Sequence, residues 1–304
     1  MRTINPKKLS ITAGVALMLL AGNSATVAVA QSGAGELSAS DIMAKTRAAY
    51  AALTSYCDDG KAVNEFSGKK LRLTFSLRLE RPNSYRIDWT QETGLKGVAW
   101  SDGGANNLRS EPTSSPAVVE TKPDLKSALQ SAAVLTYSAA ATIPSAFFAQ
   151  KCGDLFVYPA IAGRYPLKKE ADDAVGDVDC YVVSAEMDLS KAPNAGKSGT
   201  AFTALWIGKN DFLVHKCRAR YVEKVDESAM SSDQAIDEAI KRSLQAQNKP
   251  VTPEAVAAMR PQMREIMKQV NKTLKAGFQA GVVMTQTHEH ILVNQNFSPS
   301  DFTR

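Results

Sequence analysis

Apolar and polar residues alternate most cleanly between Leu71 and Trp89. Leu71, Leu73, Phe75, Leu77 and Leu79 are separated by Arg72, Thr74, Ser76 and Arg78. A period of two belongs to a half-buried antiparallel strand, because successive side chains point to opposite faces. After Arg81-Pro82-Asn83-Ser84 the pattern resumes at Tyr85, Ile87 and Trp89. Two strands joined by this turn present one apolar face, which must be covered by helices or occupied by a ligand.

The same reading predicts a strand from Tyr56 to Ala62, a turn at Gly68-Lys69-Lys70, and a strand from Gly97 to Ser101 before Asp102-Gly103-Gly104. Cys180–Met187, Phe202–Ile207, Leu213–Tyr221 and Met284–Val293 read as later strands. Ser40, with Ser38 as rival cap, opens a helix from Asp41 to Leu53 whose Ile42, Thr46, Ala49 and Leu53 share a face. Residues 104–118 are polar and turn-rich. Leu125 to Ala140 reads as an alanine-rich helix, with Pro144 as an interruption and a second short helix from Ser145 to Gln150. Leu129, Val134, Leu135, Phe147 and Phe148 are natural cover for the apolar sheet face. Residues 193–199 read as a flexible link.

Residues 228–279 break the strand pattern. Ser231 or Ser232 caps a helix to about Gln247, and Thr252-Pro253-Glu254 opens another with proline in its first turn. Pro261 bends that helix or marks a separate start. Met259, Met263, Ile266, Met267, Val270 and Leu274 form an apolar stripe. It reads as the core of a helical hairpin or as an adaptable surface for greasy partners. In the tail, Phe302 is placed to tuck under the sheet edge.

The amino terminus changes the picture of location. Arg2, Lys7 and Lys8, then an apolar run from Ile11 to Leu20, then Ala28-Val29-Ala30, resemble a secretory signal over residues 1–30. About ten apolar residues are too few to span a bilayer. The expectation is a periplasmic or secreted, soluble chain of residues 31–304, organised as a single domain. The formal charge of the whole sequence is +5, and three of those charges lie in the signal segment. The remainder is nearly neutral and lacks a dense basic run, so nucleic acid is not expected as a partner.

For an exported chain, the four cysteines Cys57, Cys152, Cys180 and Cys217 are read as two disulfides, preferably 180 with 217 and 57 with 152. Their spacing does not suit zinc. His288 and His290, two apart on a strand, are expected to face the same way and offer the start of a metal site, the basis of an alternative reading as a metal-dependent enzyme. No third ligand is evident. No serine-nucleophile elbow, His-Glu-x-x-His or phosphate loop is present, so neither an enzyme nor a cofactor is expected.

Several elements resemble the LolA/LolB-like family of periplasmic lipoprotein carriers. They are Arg81-Pro82-Asn83 with Tyr85, Arg86 and Trp89; Trp100-Ser101-Asp102-Gly103; Gly176-Asp177-Val178-Asp179-Cys180-Tyr181; Leu205-Trp206-Ile207; and Ser300-Asp301-Phe302. The resemblance covers residues 41–225 and 281–304, and the helical segment at 228–279 departs from it as an insertion. It implies an α+β fold: a curved, incomplete antiparallel β-barrel covered by helices over an apolar cavity. It also implies binding of a lipid or acylated protein without covalent chemistry, with transient contact at a membrane surface. By the resemblance Arg81 governs cavity opening and cargo transfer. Leu73, Phe75, Leu77, Tyr85, Ile87, Trp89 and Trp206 are candidate cavity lining, and Arg81 or Arg86 a rim group for a polar headgroup. An envelope protein partner is expected to dock through residues 228–279. The alternative is an envelope interaction module with a filled core.

Overall fold

The computed structural model describes residues 36–113, 116–149, 165–191, 198–224, 232–246 and 250–303. Its first helix, α1 (Ala39–Ala52), starts at Ser38 rather than Ser40. The Ser38 hydroxyl accepts from the Asp41 amide at 3.1 Å, and the Asp41 carboxylate accepts from the Ser38 amide, a reciprocal capping box.

Four strands follow in a meander: β1 (Ser55–Phe66), β2 (Lys69–Glu80), β3 (Ser84–Gln91) and β4 (Lys96–Asp102). The β1–β2 turn places Ser67 and Gly68 at φ of 50° and 75°. Two successive left-handed residues are what a tight hairpin with right-handed strand twist requires. Two short strands, β5 (Asn106–Glu111) and β6 (Val118–Lys122), extend the meander through the stretch expected to be turn. Only Leu108 is buried in β5, and no residue of β6 is. Edge strands with so little burial carry no apolar alternation to betray them.

The helices α2 (Leu125–Leu135) and α3 (Ala139–Phe147) come next. The break falls at Tyr137 and Ser138, both at positive φ, and Pro144 lies inside α3 instead of interrupting the run. The Thr136 hydroxyl accepts from the Ala140 amide at 3.0 Å, which occupies a donor that the start of α3 would otherwise leave open.

The second half contributes β7 (Leu167–Lys169), β8 (Asp173–Val175), β9 (Val178–Asp188), β10 (Ser198–Gly208), β11 (Val214–Lys224) and β12 (Val282–Val293). Residues 192–197 of the expected link lie outside the described residues, and Ser198 and Gly199 belong to β10. Between β11 and β12 the chain runs through α4 (Asp233–Ala246) and α5 (Pro253–Ala280), with Pro261 inside one continuous helix.

The twelve strands among the described residues form one antiparallel sheet in the order β6-β5-β4-β3-β2-β1-β12-β11-β10-β9-β7, with β8 also on β9. The first of these strands pairs with the last, while β6 and β7 are edges not joined to each other among the described residues. The architecture is thus α+β, an incomplete barrel covered by helices. The core lies between the inner sheet face and α1–α3: Ile42, Met43 and Tyr50 from α1, Ala128, Leu129 and Ala132 from α2, and Ala139–Ala141, Ile143 and Phe147 from α3. Phe148 is buried with them, whereas Val134 points to solvent.

The hairpin has its own core. Ile236, Ile240, Leu244 and Val256 are buried together, with Met259, Met263 and Met267 packed against them. Arg260 grips Asp237 through two 2.6 Å bonds. Ile266 is exposed, and the side chains of Val270 and Leu274 lie outside the described residues.

The expected disulfides are corrected: Cys57, Cys180 and Cys217 are thiols. Cys180 and Cys217 sit on β9 and β11, with β10 between them. They also face opposite ways. Cys217 packs in the core beneath the helices, while Cys180 packs with Val182, Ala204 and Trp206 on the outer face. No rotamer brings two such sulfurs within bonding reach. Burial pushes the Cys180 thiol up to about 11. Cys152 lies outside the described residues.

Candidate functional site

The alternation of β2 and β3 builds the inner apolar surface. Leu73, Phe75, Leu77, Tyr85, Ile87 and Trp89 all turn to that face and are buried beneath the helices. Two cross-strand glycines make room for its largest rings. Gly60 pairs with Phe75, and Gly97 with Trp89. A Cβ on Gly60 would stand 2.1 Å from Phe75 Cζ, and one on Gly97 2.1 Å from Trp89 Cζ2. Both rings therefore lie flat over a neighbouring strand.

Trp206 does not join this lining. It belongs to the outer-face cluster, with its indole N–H donated to Asp173 at 2.8 Å and Lys216 over its ring. Arg86 also points outward, since it alternates with Tyr85 and Ile87. It makes a paired contact with Asp88 at 2.7 and 2.8 Å and donates to the Thr303 carbonyl, fixing the tail. Phe302 is buried there, edge-on to Phe297. The outer face beside these groups holds an open depression of about 630 Å³, walled by Lys61, Thr74, Ser76, Arg86, Asp88 and Arg109 among others. Phe75, Trp89 and Val98 reach its floor, but with Lys61, Arg86, Asp88 and Arg109 in an open wall it leaves a bound acyl chain in contact with water and charge.

Arg81 sits where the sheet meets the helices. Its guanidinium donates to the carbonyls of Leu53 at 2.7 Å, Tyr50 at 3.0 Å and Phe147 at 2.9 Å. It also stacks 4.6 Å from the Phe147 ring centre. One side chain of the β2–β3 turn thus holds the carboxyl ends of α1 and α3. Neither helix has a basic residue in its last turn. The borrowed cation satisfies carbonyls that lack helical partners and complements two helix dipoles.

A polar island lies within the apolar layer. Asp58 turns inward from β1 and His288 from β12, and both side chains are fully buried. Asp58 Oδ2 is 2.6 Å from His288 Nδ1 and accepts from the Tyr56 hydroxyl at 2.6 Å. Burial, and next the Asp58 charge, pushes the Tyr56 phenol well above its ordinary range, so it remains a donor. Phe75 meets the His288 ring edge-on at 5.5 Å. Nearby on the same strand, Gln286 accepts from Thr142 of α3 at 2.6 Å and donates to the Tyr137 carbonyl.

The expected histidine pair is corrected by a β-bulge. Asp59 pairs with Glu289 but Cys57 pairs with Leu292, so β12 carries one extra residue. His290 occupies it at φ of 52° and points to solvent, 3.8 Å from Asp59. His288 and His290 therefore lie on opposite faces. No group of three or more His, Cys, Asp or Glu is placed to hold a metal among the described residues. The sequence reading passed over Asp58 and Tyr56. A signal existed: Tyr56, Asp58, Gly60 and Ala62 share a parity, which puts a carboxylate on the face of a strand's apolar residues.

The chain aligns with several solved structures at low identity. Lipoprotein LppX from Mycobacterium tuberculosis aligns at 9% identity over 84% of this chain and 97% of that one, with a TM-score of 0.38. LprF from Mycobacterium bovis aligns at 11% identity over 86% and 94%, with a TM-score of 0.40. A LolA superfamily protein from Nitrosomonas europaea aligns at 10% identity over 88% and 99%, with a TM-score of 0.29. No protein-family model matches the chain. No curated protein matches it either.

Proposed function

We propose that this protein is an exported binding or carrier protein for an acylated or lipid-like molecule, a lipoprotein among them, held without covalent chemistry. Residues 1–30 direct export, and residues 31–304 act as one carrier-type domain in which α4 and α5 form an insertion that docks an envelope partner. The cargo's hydrocarbon lies against Leu73, Phe75, Leu77, Tyr85, Ile87 and Trp89 once α1 and α3 part from the sheet. Burying a chain there is worth about 0.8 kcal/mol per CH₂.

The observation that carries this reading is the Arg81 clasp. A cover meant to stay shut would be sealed by large interdigitating side chains. Here α2 and α3 bring Leu129, Ile143 and Phe147 to the core, but five of their buried positions, Ala128, Ala132 and Ala139–Ala141, are alanines that bury little area each. Arg81 alone supplies three of the hydrogen bonds that tie the cover to the sheet, beside those of Gln91 to Leu135, Thr142 to Gln286 and the Val214 amide to Tyr50, and such directional bonds weaken steeply once the geometry opens.

A second reading is favoured by the burial itself: the inner-face residues are already packed, as in an interaction module with a filled core. Titration with a fluorescent acyl probe separates the two. A carrier gives saturable one-to-one binding that unlabelled amphiphile reverses. A filled core gives no saturable signal.

A further inference from the structure

Asp58 Oδ1 and His288 Nε2 are buried and have no hydrogen-bond partner among the described residues. Each belongs to a side chain with no exposed surface. Leaving such atoms unmet is unfavourable. Replacing a buried polar or charged pair by an apolar pair of similar volume is often neutral for stability or better. Stability therefore gives little reason for this pair to interrupt an apolar layer, and both residues adjoin the surface assigned above to the cargo, Asp58 opposite Leu77 and His288 against Phe75.

We propose that Asp58 and His288 are the polar recognition point of the inner face, and that the ligand is a neutral amphiphile carrying a hydroxyl beside its hydrocarbon chain. This rests on the carrier reading. Asp58 Oδ1 calls for a donor, because a carboxylate oxygen only accepts. Nε2 donates or accepts according to which ring nitrogen carries the proton, and a hydroxyl matches either state. A fatty-acid carboxylate offers Asp58 Oδ1 no donor, because both of its oxygens only accept. The row that runs from His288 through Gly60 and Phe75 to Trp89 supplies the adjoining apolar track. Gly60 keeps that track low, since its missing Cβ leaves Phe75 flat.

The test is displacement of a fluorescent acyl probe from the mature chain by 1-monopalmitoylglycerol and by methyl palmitate, which lacks a hydroxyl. The glycerol ester is expected to displace the probe at least tenfold more effectively. In the Asp58→Leu/His288→Leu double variant that ratio should fall below threefold. If circular dichroism shows the double variant unfolded, Asp58→Asn is read in the same way. Equal displacement by the two esters, or a ratio unchanged in a folded variant, overturns the inference while the carrier reading stands. If neither ester nor probe binds, the carrier reading falls and takes this inference with it.

Discussion

Arg81 bonds to three backbone carbonyls on two helices, so its loss should be felt at a distance from its own turn. A hydrogen bond to a charged group contributes about 1.5–3 kcal/mol. Arg81→Leu should therefore raise amide exchange in the last turn of α1 and at Phe148 by roughly ten- to a hundred-fold. Amides of β2 and β3 should change little. Exchange unchanged at both helix ends would mean that apolar packing, not the arginine, keeps the cover in place. The sequence marked Arg81 only through a resemblance, because the carbonyls it meets lie 28, 31 and 66 residues away. Asp58 was legible by parity alone. His288 and His290 were misread because parity fails across a bulge, and a bulge is fixed by pairing with β1, not by β12 itself. Cys180 and Cys217 were misread for a similar reason: strand order and facing decide a disulfide, and local pattern reports neither.

At the scale of elements, periodicity located what was half-buried and missed what was not. β2, β3, β10 and β12 announced themselves because one face of each meets the core. β5 to β8 did not, because they lie toward the edges and are mostly exposed. The α2–α3 boundary was misplaced because proline was given more weight than two left-handed residues whose conformation no side chain signals. The hairpin was legible from its methionine stripe. Its core is a cluster separate from the one beneath α1–α3, although α5 also touches β11 and β1. The two should therefore loosen independently. Ile240 is fully buried, and Ile240→Ala should weaken the hairpin by about 2–4 kcal/mol. Hydrogen exchange should then quicken in α4 and α5 and stay slow in β1 to β3. An equal loss across the sheet would show one cooperative unit and remove the case for a separately acting arm.

Across the whole molecule, the pairing of β1 with β12 joins a meander from the first half of the chain to one from the second. It also places Asp58 beside His288, 230 residues apart in sequence. One face of the resulting sheet is largely apolar, sheltered by α1–α3 and interrupted by buried polar groups, among them the Asp58–His288 pair and Gln286. The other is charged and open. That asymmetry is what a binding protein for a greasy molecule with a small polar group needs. The most direct test is to purify the mature chain from an oxidising envelope compartment without detergent and compare its native and denaturing mass spectra. The account predicts an extra native mass that denaturation releases as an acylated molecule. A mass equal to the bare chain, unchanged after incubation with envelope lipids and lipoproteins, would contradict it.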